Sequence, residues 1–453
     1  MDALHGKRLV ILGMARQGTA LARFAVGAGA FVTLSDLRPA EKLADTLDAL
    51  DDLPADRLRF VLGEHPLTLL DDCDALAISG GVATDAPIVV EARQRGIPLT
   101  NDSLEFARRA PAPIVGITGS AGKTTTTSLV GQIGHYSGRK TWVGGNIGQP
   151  LITHLGEMSP DDLIVKELSS FQLEIWEDIS PALAAILNIT PNHLDRHKTM
   201  ARYAEAKGNI LRFQRPGDVA LLSADDPGAL AMRELVRGRL RLFSLRGPVE
   251  DGAYVHDGHL WLSGPEGSRA LCPTSAIRLR GAHNVLNVLA AAALAESAGL
   301  PDRAIIEGIR TFSGVPHRLE LVRELDGVQY VDDSIATAPE RALAALAAFD
   351  EPIILLAGGR DKDMVWDEWA RTVARRAKHV VLFGELAGAL SARLGNSIPK
   401  TYAETLAEAV YVAQAEAKAG DVVLLSPGGT SFDAYNDFAE RGEHFRLLVG
   451  DLE

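Results

Sequence analysis

Short apolar runs and segments of helical periodicity alternate along this chain. The runs at 8–13 and 31–36 are apolar and end in turn residues, which predicts buried parallel strands. Between them, residues 19–28 carry apolar positions at the spacing of a helix. The start of the chain therefore predicts a βαβ unit, and the strand-like run at 74–81 extends the same sheet.

This alternation continues to the end of the chain, with breaks near 101–112 and 312–316 that we expect to act as hinges. We expect three α/β domains, at residues 1–101, 102–314 and 315–453. The first and last are predicted to be Rossmann-like, and the central one is predicted to have a mainly parallel sheet. The later segments behind this prediction are strand-like runs at 162–168, 183–190, 218–223, 353–357, 379–383 and 421–426, a β-rich stretch at 253–279 and a helix at 281–298.

The segment that follows the apolar run at 113–117 has the composition of a phosphate-binding loop. It reads Thr-Gly-Ser-Ala-Gly-Lys-Thr at 118–124 and is followed by a helical pattern. In such a loop the backbone N–H groups bind phosphate, Lys123 reaches the terminal phosphates and the Thr124 hydroxyl ligates Mg²⁺. The alternative is a glycine turn with an exposed lysine. The pattern predicts a P-loop ATPase-type central domain that binds ATP through Gly119, Ser120, Ala121, Gly122, Lys123, Thr124 and Thr125.

A second glycine turn, at 13–18, suggests a different cofactor. It nearly matches the dinucleotide fingerprint, and Asp36, at the end of the second strand, occupies the acidic position that follows that turn in the sequence. By itself this turn favours an NAD-dependent oxidoreductase. However, Ala15 replaces the glycine that allows a pyrophosphate to approach the backbone, and the downstream loop at 118–124 is the better phosphate site.

Three further polar residues lie where parallel strands or nearby helices present side chains to ligands. Glu167 closes a strand, and a carboxylate there would bind Mg²⁺ beside Thr124; the alternative is a surface carboxylate at a helix N-terminus. His193 follows another strand and is a candidate metal ligand, although a lone histidine is more often a solvated loop residue or a satisfied core residue. Lys207 by itself would be an ordinary solvated helix lysine.

Composition excludes several classes of function. The 453 residues carry a net charge of −13, which argues against a general nucleic-acid surface or an anionic membrane surface. The two cysteines form no metal-type pair, which favours a reduced cytoplasmic setting. No run approaches the roughly 20 apolar residues of a membrane helix. We therefore expect a cytoplasmic monomer with small-molecule substrates and neither nucleic-acid nor membrane partners.

Taken together, these segments resemble the Mur ligase family of peptidoglycan synthesis over essentially the whole chain. Each motif alone is weak, and the combination is specific. The matching stretches are 118–124, Gly-Gly-Asn-Ile-Gly at 144–148, Glu-Leu-Ser-Ser-Phe-Gln-Leu-Glu at 167–174, Leu-Asn-Ile-Thr-Pro-Asn-His-Leu-Asp-Arg at 187–196, His283-Asn284 with Asn287, Pro-His-Arg at 316–318 and Asp-Asp-Ser-Ile-Ala-Thr at 332–337.

The resemblance implies a ligase that adds D-glutamate to UDP-N-acetylmuramoyl-L-alanine through an acyl phosphate, with ATP and two Mg²⁺ ions. It implies catalytic roles for Lys123, Glu167, His193 and Lys207, with Lys207 carbamylated, and metal binding by Thr124, Glu167, His193 and Lys207. The remaining roles that it implies are nucleotide binding by Asn284, Asn287, Arg318 and Asp333, UDP-sugar binding by Ala15, Arg16, Gln17, Asp36, Arg38, Gly81 and Asn146, and glutamate binding by Thr337, Lys362, Ser431 and Phe438.

One residue departs from the family pattern. Most similar members have lysine in Asp-Ser-Lys-Ala-Thr, where this chain has Ile335. The segment is also similar to a variant that adds L-glutamate, so L-glutamate remains the alternative substrate. Two further alternatives are a non-catalytic nucleotide-binding scaffold and a folylpolyglutamate synthetase, which shares the ligase fold; the N-terminal UDP-type domain argues against the latter.

Overall fold

The computed structural model describes residues 2–146, 148–362 and 364–453. The chain divides into two compact units. One comprises Met1–Arg278 and Ala282–Phe312, and contains the N-terminal and central domains. The other comprises Leu279–Gly281 and Ser313–Glu453, and contains the C-terminal domain. Ile147, in the 144–148 motif, lies outside the described residues.

The N-terminal domain is a parallel five-stranded sheet in the order β3-β2-β1-β4-β5. Alternate residues of the central strand enter different cores: Leu9 and Ile11 join one cluster, while Val10 and Leu12 join the other. Both faces are therefore covered, which explains the unbroken apolar run in the sequence. The elements are β1 (Arg8–Leu12), α1 (Arg16–Gly27), β2 (Phe31–Asp36), α2 (Ala44–Asp48), β3 (Leu58–Leu62), β4 (Ala75–Ile78), α3 (Pro87–Gln94) and β5 (Leu99–Thr100).

The central domain contains a nine-stranded sheet in the order β14-β13-β12-β11-β10-β9-β6-β8-β7. Neighbours from β7 to β12 pair in parallel, and the two hairpins of β12, β13 and β14 add antiparallel strands at one edge. The strands are β6 (Ile114–Thr118), β7 (Thr141–Gly145), β8 (Leu163–Glu167), β9 (Leu183–Ile186), β10 (Val219–Ser223), β11 (Arg239–Ser244), β12 (Gly252–His256), β13 (His259–Gly264) and β14 (Gly267–Pro273).

The helices of this unit connect and cover the sheet. The longest, α10, is lined by alanine and is buried along most of its length because small side chains allow close packing. The helices are α4 (Asp102–Arg109), α5 (Lys123–Tyr136), α6 (Ser170–Leu173), α7 (Leu194–His197), α8 (Met200–Arg212), α9 (Pro227–Ala231), α10 (Ala282–Ser297) and α11 (Asp302–Thr311).

The C-terminal domain has a six-stranded sheet in the order β15-β16-β20-β17-β18-β19, parallel except for the β15–β16 pair. Alternate residues of β17 again enter two cores, one on each face of the sheet. The elements are β15 (Glu320–Leu325), β16 (Val328–Asp332), α12 (Pro339–Leu346), β17 (Ile353–Gly358), α13 (Asp367–Arg376), β18 (Ala377–Phe383), α14 (Ala387–Leu394), β19 (Lys400–Ala403), α15 (Leu406–Glu416), β20 (Val422–Gly428) and α16 (Phe438–Gly450).

The prediction of three α/β domains with mainly parallel sheets is confirmed. The first helix differs from its prediction, since it begins at Arg16 and not at residue 19. The reason is the buried Gly18, where a Cβ would lie 1.9 Å from the Gly13 carbonyl oxygen, so the glycine turn closes directly against the helix. Among the described residues, no helix has both the length and the apolar character needed to cross a bilayer.

Candidate active site

The loop between β6 and α5 is shaped to receive an anion. Helix α5 begins at Lys123, and no side chain caps its N-terminus, so its first N–H groups face the loop. The residue before it, Gly122, has φ +82°, a left-handed conformation that favours glycine. A Cβ at Gly122 would also lie 2.2 Å from Oδ1 of Asn287. Glycine is therefore required at 122 both by the backbone and by its neighbour.

Other loop residues are held by the strand-end segment 187–190. The Asn188 side chain accepts from the N–H of Ala121 at 2.8 Å and donates to its carbonyl oxygen at 3.1 Å. Ser120 Oγ donates to the Thr190 carbonyl at 2.9 Å and accepts from the Thr190 N–H at 2.9 Å. The 118–124 motif and the 187–196 motif, which are distant in sequence, therefore form one structure.

Two lysines converge on this loop. Lys123 Nζ donates to the Gly119 carbonyl at 2.9 Å and to the Ser120 carbonyl at 3.3 Å. Lys207 Nζ donates to the same Gly119 oxygen at 2.9 Å and to Thr118 Oγ1 at 3.3 Å. Since an ammonium group carries three N–H donors, Lys123 can exchange these carbonyl partners for a phosphate without losing its charge.

Lys207 is buried, with 1% of its surface exposed, so the alternative of a solvated helix lysine is wrong. Its ammonium lies 4.7 Å from the centre of the Tyr203 ring. Burial, assisted by the charge of Lys123, lowers the pKa of Lys207 well below its ordinary value, and the opposing attraction of Glu167 is weaker. The environment therefore favours the neutral amine.

Glu167 connects the phosphate loop to the 144–148 motif. It ends β8 and is buried, with 2% of its surface exposed, so it is not a surface carboxylate. Thr124 Oγ1 donates to its Oε2 at 2.8 Å, and Asn146 Nδ2 donates to its Oε1 at 3.0 Å. This buried carboxylate next to a hydroxyl offers the oxygen ligands that Mg²⁺ prefers, so Thr124 and Glu167 fit a magnesium ion.

His193 lies at the start of α7 in a left-handed conformation, with φ +53°. Its ring meets the edge of Phe171 at a centroid distance of 5.0 Å. Phe171 belongs to α6, which directly follows the Glu167 strand and begins with a capping box between Ser169 and Gln172. The motifs at 167–174 and 187–196 therefore position this histidine jointly.

A cavity of about 270 Å³ opens beside the phosphate loop, entirely within the central domain. Asn287, predicted to bind nucleotide, lines it, and its Nδ2 donates to Asn284 Oδ1 at 3.1 Å. The lining residues that the sequence did not single out are Ser223, Asp225, Asp226, Phe243 and Leu286. Ser223 ends the strand predicted at 218–223, and Asp225 and Asp226 follow it closely, a signal that was present in the sequence but not used.

The predicted UDP-sugar residues gather around the first glycine turn. Asp36 accepts from the Met14 N–H at 2.8 Å and from Arg38 Nε and Nη2 at 2.9 and 2.8 Å. The Arg38 guanidinium holds the pKa of the Asp36 carboxyl well below its usual range. Gln17 Nε2 lies 3.5 Å from the Gly145 carbonyl, next to Asn146. Ala15, Arg16 and Gly81 are exposed at the same turn region.

The remaining predicted residues lie in the C-terminal unit. Asp333 is buried and accepts from Ser426 Oγ at 2.8 Å, and burial raises the pKa of its carboxyl to about 7. Arg318 is the neighbour of His317, whose Nδ1 contacts Asp332 at 2.7 Å. That hydrogen bond raises the pKa of His317. With Glu320, these two groups form a cluster of metal-ligand type, but they already bond to each other.

A buried arginine joins the loops that carry two of the predicted glutamate-binding residues, Thr337 and Ser431. Arg441 donates to Oγ and to the carbonyl of Ser334, both at 2.9 Å, and to the Gly429 carbonyl at 3.2 Å. Ser334 Oγ donates to the Phe438 carbonyl at 2.8 Å. Arg441 was missed because an arginine in a helix is normally a surface residue. It ties together the loops that contain Thr337 and Ser431.

Lys362 approaches the same region from the end of β17. Its ammonium lies 5.1 Å from the centre of the Phe432 ring, directly after Ser431 in the chain. Arg360 pairs with Thr430 through backbone hydrogen bonds of 2.8 and 2.9 Å. The segments 359–362 and 429–432 are therefore neighbours.

Family models match three consecutive parts of the chain. The N-terminal domain model of MurD-like Mur ligases matches residues 7–101, the Mur ligase middle domain matches 117–295, and the Mur ligase glutamate ligase domain matches 317–429. A UDP-N-acetylmuramoylalanine–D-glutamate ligase from Pelotomaculum thermopropionicum is 41% identical over 450 residues, covering 99% of this chain and 98% of the relative. The chain belongs to the Mur ligase family. A second D-glutamate ligase, from Symbiobacterium thermophilum, is 42% identical to this Mur ligase over 98% of both chains.

Solved structures show the same fold at lower identity. A UDP-N-acetylmuramate–alanine ligase from Thermotoga maritima superimposes with a TM-score of 0.58 at 19% identity, covering 98% of this Mur ligase and 99% of that chain. The Escherichia coli protein FolC, solved with ADP, superimposes with a TM-score of 0.55 at 18% identity but covers 77% of this chain. Family membership and whole-length similarity to ligases remove the oxidoreductase and scaffold alternatives.

Proposed function

We propose that this Mur ligase joins D-glutamate to UDP-N-acetylmuramoyl-L-alanine and converts ATP to ADP and phosphate. The proposal depends mainly on the convergence of Thr124, Glu167 and Lys207 on the phosphate loop, in a chain that aligns along its whole length with D-glutamate ligases. Mur ligases depend on ATP and generally use Mg²⁺. In this chain Thr124 and Glu167 would hold the first ion, which would neutralise charge on the transferring phosphoryl group.

The reaction consists of two displacements. The L-alanine carboxylate attacks the γ-phosphorus of ATP, so that an acyl phosphate forms and ADP leaves. The glutamate amine then attacks the acyl carbon, loses a proton and expels phosphate, which leaves an amide. The ammonium of Lys123 lies at the loop, where it donates to the carbonyl oxygens of Gly119 and Ser120. Its positive charge stabilises the negative charge that develops on the phosphoryl oxygens.

Lys207 is proposed to act as a carbamate. A neutral amine is required for attack on CO₂, which forms an N–C bond and releases one proton, and burial beside Lys123 favours that neutral form. The product is a carboxylate-like group that, with Glu167 and His193, would hold a second Mg²⁺. Oxygen donors on Lys207 also compensate for the charge of Lys123, which the ammonium form does not.

The adenine and UDP groups are proposed to bind in the first unit, and glutamate is proposed to bind in the C-terminal unit. The central cavity beside Asn284 and Asn287 is proposed for adenine, and the turn around Asp36 and Arg38 for the UDP group. Arg318 and Asp333 are proposed to reach the nucleotide from the C-terminal unit. Glutamate is assigned to the Arg441-supported loops of that unit, through Thr337, Lys362, Ser431 and the backbone at Phe438.

One assay tests the reaction and the enantiomer together. The purified enzyme is incubated with UDP-N-acetylmuramoyl-L-alanine, ATP, Mg²⁺ and either D- or L-glutamate, and the product is detected by mass spectrometry. We expect product with D-glutamate and a clear preference over L-glutamate, since buried polar groups left unpaired by the wrong enantiomer discriminate strongly. Product with L-glutamate alone would reject D-glutamate as the substrate but would leave the ligase reaction standing. Ile335, which replaces the lysine of most similar members, is the residue that makes L-glutamate the alternative.

The monomeric state and the cytoplasmic location stay predictions from the sequence. Light scattering on the purified protein measures its mass directly and would reject the monomer if it gave a multiple of 48.4 kDa. Fractionation of cells that produce the protein tests its location.

A further inference from the structure

One arginine of the central domain holds a turn of the N-terminal domain. Arg196, in α7, donates from Nη1 to the Gly80 carbonyl at 3.1 Å and from Nη2 to the Val82 carbonyl at 2.5 Å. Both acceptors are backbone atoms, so this contact fixes the path of the chain through the turn. A planar guanidinium is suited to this task because its N–H groups form a rigid fork.

Arg196 is itself supported by Phe171. Its guanidinium carbon lies 4.7 Å from the centre of that ring. The same ring meets His193 edge-on at 5.0 Å and stacks with His197 at 5.4 Å. His197 is fixed in turn, because its Nε2 lies 2.9 Å from Ser170 Oγ. The arginine that holds the turn and the proposed metal ligand His193 therefore share one aromatic support.

The turn continues to the first glycine turn of the N-terminal domain. Ser79 Oγ donates to the Gly13 carbonyl at 3.1 Å, and Gly13 opens the segment proposed to bind UDP. A second contact across the domains lies just beyond the turn, where Thr84 Oγ1 donates to Glu174 Oε1 at 2.6 Å. His193 is thus connected to the Gly13 turn by ring contacts to Phe171 and Arg196, by the hydrogen bonds of Arg196 to the turn, and by the neighbouring Ser79.

We propose that Arg196 is a positioning residue for the UDP-sugar substrate. It fixes the position of the Gly80–Val82 turn relative to His193, so that one substrate molecule contacts both the N-terminal and the central domain. The inference rests on the proposed function, since it assumes that the UDP group binds at the Gly13 turn and that the carboxyl end of the substrate reaches the phosphate loop. The nucleotide cavity lies wholly within the central domain. Loss of the Arg196 contact therefore weakens binding of the UDP-sugar and leaves binding of ATP unchanged.

The test compares Arg196→Met with a matched control, Arg57→Met. Arg57 also stacks on a phenylalanine, 4.2 Å from the Phe31 ring centre, and donates to a backbone carbonyl, that of Gly29, at 3.1 Å. Arg57 directly precedes β3, so its contacts lie at the amino ends of β2 and β3, whereas the Gly80–Val82 turn follows the carboxyl end of β4. The two variants therefore lose the same kinds of contact, and they differ in which turn the lost contact holds.

We expect Arg196→Met to raise the KM for UDP-N-acetylmuramoyl-L-alanine roughly tenfold, the loss typical of charged hydrogen bonds. The KM of Arg196→Met for ATP is expected to stay within about twofold of the wild-type value. Both KM values of the control Arg57→Met are expected to stay within the same limit. Arg196→Lys keeps a charge over Phe171 but cannot reproduce the fork, so its KM for the UDP-sugar should lie between the two. An unchanged KM for the UDP-sugar in Arg196→Met, or an equal rise in both KM values, would overturn the proposal.

Hydrogen exchange tests the contact without activity. The peptide covering residues 79–86 is expected to exchange faster in Arg196→Met than in the wild type, and at the wild-type rate in Arg57→Met. Unchanged exchange in Arg196→Met would reject the role of the arginine even if turnover fell. A wild-type enzyme that forms no amide product would instead reject the proposed function, and the exchange result would still decide whether Arg196 holds the turn.

Discussion

Glu167 is bound by a neutral donor on each side. The Thr124 hydroxyl bonds one carboxylate oxygen and the Asn146 amide bonds the other, while the carboxylate itself is buried. The hydroxyl can turn its proton away and offer a lone pair, so the same two oxygens can bind a cation without movement of the backbone. At the scale of single residues, the strand end and the helix start alone supply the oxygen atoms that the proposed magnesium ion requires.

Lys207→Ala is expected to be nearly inactive and to recover partly when formate or acetate is added. The reason is that a small carboxylate can occupy the space of the lost carbamate and replace its oxygen ligands. Phosphate release with all substrates present, at increasing acetate concentration, measures this. The control is Lys123→Ala, which loses a cation and should stay inactive at every acetate concentration. Full activity of Lys207→Ala without additive would contradict the carbamate assignment.

The stability of the C-terminal unit is expected to depend on Asp333. Its pKa is raised by burial to about 7, so between about pH 4 and pH 7 the folded chain holds a proton that the unfolded chain has released. The stabilisation is complete below the unfolded pKa and is lost as the pH rises to the folded pKa, by on the order of a few kcal/mol. Asp333→Asn removes this dependence.

Thermal unfolding at pH 5 and pH 7.5 measures that effect. The fall in Tm between the two values should be smaller in Asp333→Asn than in the wild type. Asp350→Asn, at an exposed carboxylate, is the control and should behave like the wild type. Equal falls in all three proteins would show that the buried carboxyl of Asp333 does not titrate in this range.

At the scale of elements, Arg441 in α16 supports the loops of the proposed glutamate site. Arg441→Met leaves the Ser334 and Gly429 carbonyls without this donor, which is expected to cost about 2–4 kcal/mol of unfolding free energy. Because the loops that hold Thr337 and Ser431 are thereby released, the KM for glutamate should rise while the KM for ATP stays constant. Urea unfolding and steady-state kinetics measure the two effects.

Arg323 provides the control for that experiment. It also donates to backbone carbonyls, those of Val449, Gly450 and Leu452, but at the end of α16 away from the glutamate loops. Arg323→Met should lower stability and leave both KM values unchanged. A similar rise in the glutamate KM in both variants would mean that general destabilisation, and not the loops, causes it.

The elements were predictable because both faces of each parallel sheet are buried, so strands appear as apolar runs that end in turn residues. Glu167 and Thr124 were predicted beside each other because strand ends and helix starts meet at one edge of such a sheet. The hydrogen bond from Asn146 to Glu167 and the burial of Arg441 were not predictable. Both depend on how separate elements pack, and neither leaves a periodic pattern in the sequence.

At the scale of the whole molecule, the proposed glutamate residues lie in one unit and the phosphate loop lies in the other. The chain is divided between Phe312 and Ser313, where a hinge is expected. In the proposed reaction, the glutamate amine held by one unit has to meet the acyl phosphate formed at the other. We therefore expect the radius of gyration to fall when a non-hydrolysable ATP analogue and the UDP-sugar are both added, measured by small-angle X-ray scattering.

Comparison with single additions makes this test specific. The ATP analogue alone should produce a smaller change than both ligands together, because closure is expected to require both substrates. A scattering profile that is the same with and without the two ligands would contradict closure. The Arg196 contact predicts in addition that residues 79–86 keep their exchange protection during this motion.

The close approach of Gly122 to Asn287 links the evolution of two distant positions. Any side chain at 122 meets the amide oxygen of 287 at 2.2 Å and also has to adopt an unfavourable backbone. A shorter residue at 287 would relieve the first conflict but not the second, and it would remove part of the wall of the cavity proposed for adenine. Single substitutions of Gly122 are therefore expected to be eliminated by selection. A substitution at 122 would need a simultaneous change at 287, and even then the backbone strain at 122 would remain.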